Sequence, residues 1–237
     1  MAMSSPFLTA SWRNLLMINF EASASLLQPY LPRHTELDTW NNTHYISLVG
    51  FLFQDTRLRG ISFPLHRTFE EVNLRFYVRY KDGATWKRGV VFIKELVPKR
   101  MITFIANTIY KENYATLPMR HHWHEPDAHT LQVSYEWKIA AQWNYLRATA
   151  AKATQPIVPG SEAEFITEHY WGYTQAGPAE YQVTHPQWNL HTVNDYAYHC
   201  NTLRLYGPGF VEVLQQQPLS ALLAEGSPIA VMPKKRL

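Results

Sequence analysis

The sequence has little of what most quickly betrays a function. There is one cysteine, Cys200, in 237 residues, so no intramolecular disulfide and no multi-cysteine metal site can form. Charged residues make up 17%, and 22 basic against 19 acidic side chains leave a net charge of +3. That excess is too small to grip nucleic acid. No apolar run nears the roughly 18 residues needed to span a bilayer; the best, Ile46–Phe53, has the length of a buried strand. The first ten residues lack the basic start and apolar core of a secretion signal. The expectation is a cytoplasmic protein with neither membrane nor nucleic acid as partner.

Catalytic and cofactor signatures are also absent. Ser62, in Gly60-Ile-Ser-Phe-Pro64, lacks the second glycine of a nucleophile elbow. No phosphate-binding glycine loop occurs, and Gly207-Pro-Gly209 puts a proline where an amide donor is needed. His121, His122, His124 and His129 lie close together without the spacing of a metal-binding helix, and a strand would turn His121 away from the other two. His199 and Cys200 would likewise point to opposite faces of a strand. Neither a cofactor nor a metal is expected.

What is abundant is aromatic: 8 Trp, 14 Tyr and 11 Phe, or 14% of the chain, enough for a large core or an aromatic-lined cavity. Alternation predicts strands over Trp12–Phe20, His44–Phe53, Phe69–Tyr80, Trp86–Val97, Met101–Tyr110 and Thr130–Ile139, with a further strand at His121–His124 and a closing one at Ile229–Val231. Asn41-Asn42, Lys81-Asp82-Gly83 and Lys99-Arg100 supply turns. Helices are expected after the Ser23 cap, from the Ser161/Glu164 capping box to His169, from Gly207 to Gln215 and over Ser220–Ala224; Ala148–Pro159 reads as a long loop. Without repeats or linkers, residues 1–237 read as a single domain, mainly antiparallel β with short helices.

One strand carries the chemistry. Along Phe69–Tyr80, Val72, Leu74, Phe76 and Val78 share one face, and Glu71, Asn73, Arg75 and Tyr77 share the other. The polar face is either solvent-exposed or the inner wall of a barrel, and the pattern by itself favours solvent. If it faces inward, Arg75 suits a carboxylate and Glu71 suits proton transfer, with Asn73 between them.

Six stretches resemble one family: Phe7–Met17, Ser47–Phe51, Phe69–Val78, Tyr110–Met119, Phe165–Tyr173 and Gly226–Pro228. They are similar to the YqjF-like proteins (DUF2071), themselves distant relatives of acetoacetate decarboxylase. The resemblance implies an α+β fold: a cone-shaped β-barrel with flanking helices and an internal cavity. It therefore tips the polar face inward. The decarboxylases use a Schiff-base lysine activated by a second lysine. That lysine's place falls near Tyr114 here, with Asn113 beside it. Lys111 has Glu112 as its neighbour, which would raise its pKa, and Lys234-Lys235 reads as a solvated tail. The amine chemistry is therefore not expected. Glu71 and Tyr114 become the candidate catalytic residues, with Asn73, Arg75, Asn113, His169 and Tyr170 as candidate ligand contacts. His169-Tyr170-Trp171, following a short helix, would form a cavity mouth or else pack into the core. The expected partner is a small-molecule ligand, bound by an enzyme or by a non-catalytic binding protein. Homo-oligomerisation is an expectation carried by relatives of the fold.

Overall fold

The computed structural model describes residues 5–174 and 179–237. The reading of the extreme N-terminus as signal-free rests partly on residues 1–4, outside the described residues. The strands are β1 (Leu8–Glu21), β2 (Thr35–Leu37), β3 (Tyr45–Leu58), β4 (Phe69–Asp82), β5 (Thr85–Val97), β6 (Tyr114–Thr116) and β7 (Met119–His124). They continue with β8 (Thr130–Ile139), β9 (Gln142–Pro156), β10 (Trp171–Thr174), β11 (Ala179–Thr184), β12 (Asn189–His199), β13 (Ser220–Val231) and β14 (Lys235–Arg236). The short helices are α1 (Ala24–Leu27), α2 (Arg100–Ile105), α3 (Glu162–Thr167) and α4 (Thr202–Tyr206).

Seven strands close a ring in the order β11-β10-β5-β4-β3-β1-β13, and the pairs Val183↔Val231 and Thr184↔Ala230 complete it. Strands β12, β9, β8 and β7 continue from β13 as a second layer, while β14, β2 and β6 pair with β11, β4 and β5. Closure needs strong local coiling. It is visible where β1 shifts register on β3 around Asn14, which has φ 50°, and where Gly226 of β13, with φ +79°, lies against Trp12. A Cβ at Gly226 would meet the Trp12 carbonyl oxygen at 2.1 Å, so a side chain there is excluded by contact as well as by backbone conformation.

Two buried layers follow from the alternation along β4. Val72, Leu74, Phe76 and Val78 join Tyr135, Trp137 and Leu146 in the core between barrel and second layer. Gly50 of β3 is on this side too, its α-carbon so near Tyr135 that an added Cβ would lie 2.9 Å from the ring. The other face of β4 looks into the barrel, where Tyr77 packs with Phe165 and His169. No helix among the described residues is long and apolar enough to cross a membrane.

Local signals held where they had a specific partner. Ser23 Oγ accepts from the Leu26 amide, and Ser161 Oγ accepts from the Glu164 amide. Asn41 and Asn42 take positive φ in the turn closed by Trp40 and Thr43. Five expectations are corrected. Met101–Tyr110 is not a strand but α2 followed by a π-helical turn, Ala106–Tyr110. The reason is topological: β5 pairs in parallel with β6, and a parallel pair needs a crossover connection rather than a tight turn. Ala148–Pro159 is not a loop; β9 runs to Pro156 because its small buried residues Ala148 and Ala150 fit where the layers press together. Ser220–Ala224 is strand, since β1 and β12 pair with β13 from either side and override its helix-forming composition. Lys234-Lys235 is not a free tail, as Lys235 pairs with Glu180 and Lys234 donates to the Tyr110 carbonyl oxygen. The helix expected over 207–215 is instead two 3-10 turns, Pro208–Phe210 and Val213–Gln215.

Candidate functional site

Glu71, Asn73 and Arg75 are 3%, 1% and 9% exposed, and all three line one pocket of about 170 Å³. Most of its wall is apolar, with Trp12, Phe51, Phe53 and Trp188 among the lining side chains. β4 sets the spacing, since alternate side chains on one strand face stand about 7 Å apart. Cross-strand pairing adds the neighbours: Asn73 lies opposite Glu95 on β5, and Glu95 opposite Tyr114 on β6. A bulge at Ile93 shifts the register just below this row.

Three carboxyls meet here. Glu71 accepts from Asn73 Nδ2 and from the Tyr114 hydroxyl, each at 3.0 Å. Glu112 accepts from the Tyr181 hydroxyl at 3.1 Å. Glu95 Oε2 has no partner. Burial pushes Glu71 up to about 7, against the pull of its hydrogen bonds and of Arg75. Burial and Glu71 push Glu112 up to about 8, while Tyr181 and Lys234 act the other way. Glu95 is held well above the usual carboxylate range by burial and by its two acidic neighbours. Burial and the same carboxyls hold the Tyr114 and Tyr181 phenols protonated. Tyr181 is seated by Gly172, where a Cβ would be 2.2 Å from its ring.

Arg75 stands apart from this cluster. Its Nη2 reaches Met17 Sδ at 3.7 Å and the Ile166 carbonyl oxygen at 3.5 Å, and its Nε has no partner. His169 also lines the pocket. Its Nε2 is 3.2 Å from Asp38 Oδ2, which Arg88 Nε contacts at 2.7 Å. Burial lowers His169 to about 4, and although burial opposes it, hydrogen bonds from His169 and Arg88 hold Asp38 at about 2. The ring is therefore neutral at pH 7 with its proton on Nε2, because an ionised Asp38 can only accept. Nδ1 is left without a partner.

The sequence-selected residues divide. Glu71, Asn73, Arg75, Tyr114 and His169 come together at the pocket. Asn113 and Tyr170 do not line it: Asn113 Nδ2 donates to the Ile93 carbonyl at the bulge, and the Tyr170 hydroxyl donates to Glu168. Trp171, at the suggested mouth, does line it. Glu95, Glu112 and Tyr181 were missed. A lone acid inside the apolar run Val90–Val97 was the available signal for Glu95; nothing local marked the other two. His121 pairs with Glu70 at 2.6 Å, while His122 and His124 face outward. No group of three or more metal-ligating side chains with suitable geometry occurs among the described residues.

Comparison with known proteins adds family and fold. The profile of DUF2071, described as "Uncharacterized conserved protein", matches residues 9–228. The chain belongs to the DUF2071 family. It is 31% identical over 162 residues to the uncharacterized protein YqjF of Bacillus subtilis (strain 168), a match covering 68% of this chain and 62% of that protein's length. DUF2071 here adopts the architecture of acetoacetate decarboxylase from Legionella pneumophila: 14% identity, TM-score 0.66, covering 97% of this chain and 86% of that one. The enduracididine biosynthesis enzyme MppR complexed with pyruvate is similar too, at 9% identity and TM-score 0.68, covering 99% and 91%. At these identities the likeness is one of fold.

Proposed function

We propose that this DUF2071 protein takes a small carboxylate or carbonyl compound into its barrel and acts on it by proton transfer, without a lysine Schiff base. The supporting observation is Arg75, a buried guanidinium whose recorded hydrogen bonds reach only a thioether and a carbonyl oxygen, with Nε unpartnered. A buried charge opposed only by the part-ionised Glu71 is costly, and a carboxylate restores the balance with two parallel hydrogen bonds. Along the same strand face, Glu71 titrates near neutrality and shares a hydrogen bond with Tyr114. A group balanced in this way can give or take a proton at pH 7. Asn73 and the neutral His169 would orient the ligand from the strand and from the far wall. The named relatives of this architecture include proteins associated with acetoacetate and pyruvate, both small oxo acids.

The test is a screen of short 2-oxo and 3-oxo acids for turnover. Glu71→Gln is expected to lower kcat at least about 100-fold while leaving the fold intact, and Arg75→Met to raise KM. Unchanged turnover in Glu71→Gln removes that residue from the mechanism. Borohydride trapping with acetoacetate is expected to give no adduct, because no lysine lines the pocket among the described residues. A second reading, a non-catalytic binder, is favoured by the largely apolar aromatic wall. Ligand-dependent rises in Tm without product formation would select it.

A further inference from the structure

The pocket holds three carboxyl groups and one arginine, an imbalance that a simple carboxylate ligand does not relieve. Besides Thr56 Oγ1 and His169 Nδ1, two of its buried acceptors are unpartnered: Asn73 Oδ1 and Glu95 Oε2. Their residues face each other across β4 and β5, so their β-carbons are about 5 Å apart. Both residues are at least nine-tenths buried and both line the pocket. Asn73 has committed its amide donors toward Glu71, which turns its acceptor end to the cavity. Once the Glu95 proton is lost, these two oxygens are acceptors facing each other in an apolar enclosure with no recorded partner. The nearby cations do not supply one: Arg75 bonds to Met17 and Ile166, and Lys234 bonds to the Tyr110 carbonyl.

We propose that Asn73 Oδ1 and Glu95 Oε2 form a second subsite that takes a cationic hydrogen-bond donor, an ammonium or amidinium group, so that the ligand is zwitterionic. This rests on the Arg75 carboxylate seat proposed above. Arg75 and Asn73 are two positions apart on β4, a separation of about 7 Å, which matches a carboxylate and an amine joined by a chain of four carbons. In the free protein burial holds Glu95 well above the usual carboxylate range and pushes Glu112 up to about 8 and Glu71 up to about 7, so it favours their protonated forms. A cation arriving among them favours the ionised form. One carboxyl therefore loses its proton to the buffer as the cation docks. The groups facing Glu95 in this titration are Glu71, Glu112 and Tyr114, with Lys234 and Arg75 acting through Glu112 and Glu71.

Isothermal titration of the full chain at pH 7 with pentanoate, 5-aminopentanoate and pentylammonium tests this, run in phosphate and in Tris to count protons. The expected result is 5-aminopentanoate binding at least tenfold tighter than pentanoate, with release of close to one proton. Glu95→Gln keeps the size and the neutral state of the side chain, so the fold should persist. It is expected to bring the two acids within threefold of each other, leave pentanoate affinity unchanged and abolish proton release. Equal binding of the two acids by the natural chain, or tighter binding without proton release, overturns the cation subsite and leaves the Arg75 seat standing. Binding of pentylammonium without pentanoate supports the subsite and overturns the seat. Binding of none of the three overturns both.

Discussion

The two sides of β4 are equally dry and differently filled. On the outer side Val72, Leu74, Phe76 and Val78 meet the aromatic wall of the second layer, with Gly50 letting Tyr135 approach. On the inner side, four residues apart, sit a carboxyl and a guanidinium, with an amide between them whose carbonyl oxygen lacks a donor. The outer side is packed for stability. The inner side leaves polar atoms unsatisfied, and each such atom costs about 1–3 kcal/mol. The outer core has unpartnered atoms too, Trp137 Nε1 and the Tyr206 hydroxyl, but on the inner side a guanidinium, a carboxyl and an amide oxygen are left so together, as suits groups held for a ligand.

Substitution should expose the contrast. The largest effect is expected for Leu74→Ala on the outer side, a loss of about 2–5 kcal/mol in urea unfolding. On the inner side Asn73→Leu should change stability by less than about 1 kcal/mol in either direction. A loss in Asn73→Leu as large as that in Leu74→Ala would make the polar face structural and break the comparison. Next comes Gly172→Ala, expected to cost about 1–3 kcal/mol by forcing the Tyr181 ring off its seat. It should also release the Tyr181 hydroxyl from Glu112, readable as a higher Glu112 pKa by carbon-detected NMR, since that hydrogen bond holds the value down.

The pH dependence sharpens the same point. Glu71, Glu95 and Glu112 all have folded pKa values above the unfolded one, so folding retains protons on them. Their contribution is full below about pH 4.5 and is lost as pH rises through the folded values. His169 works in the opposite sense between about 4 and 6.5, its folded value being depressed. Above pH 6.5 only the carboxyls remain, so Tm is expected to fall from pH 6.5 to 8. The slope is at most about 1.4 kcal/mol per pH unit for each carboxyl still protonated. The triple variant Glu71→Gln/Glu95→Gln/Glu112→Gln should flatten it; a slope that survives would assign it to groups elsewhere. A small effect is also expected from Ser161→Ala, about 1 kcal/mol for the lost cap of α3, with the pocket's titration unmoved.

Much of the local architecture was legible. The Asn41-Asn42 turn, the Ser23 and Ser161 caps and the alternation of β4 each depend on residues near in sequence, and each formed. The errors share a cause. α2 was read as a strand because its β-branched residues look extended, yet β6 had to return parallel to β5. β13 was read partly as helix because Ala221, Leu222 and Leu223 favour one, yet it pairs on two sides. In both cases long-range pairing overruled local preference. The same holds for the site: Glu71, Asn73 and Arg75 were found together because one strand face carries them, whereas Glu95 and Glu112 reach the pocket from other segments.

The sequence by itself determined that β4 has a polar and an apolar side, where the chain turns, and to which family it belongs. Only the tertiary structure decided what covers each side, because period two separates the faces of a strand without saying what lies beyond them. Ring closure between β11 and β13 made the polar face an interior, and burial there, absent in any isolated segment, gives its carboxyls their unusual protonation.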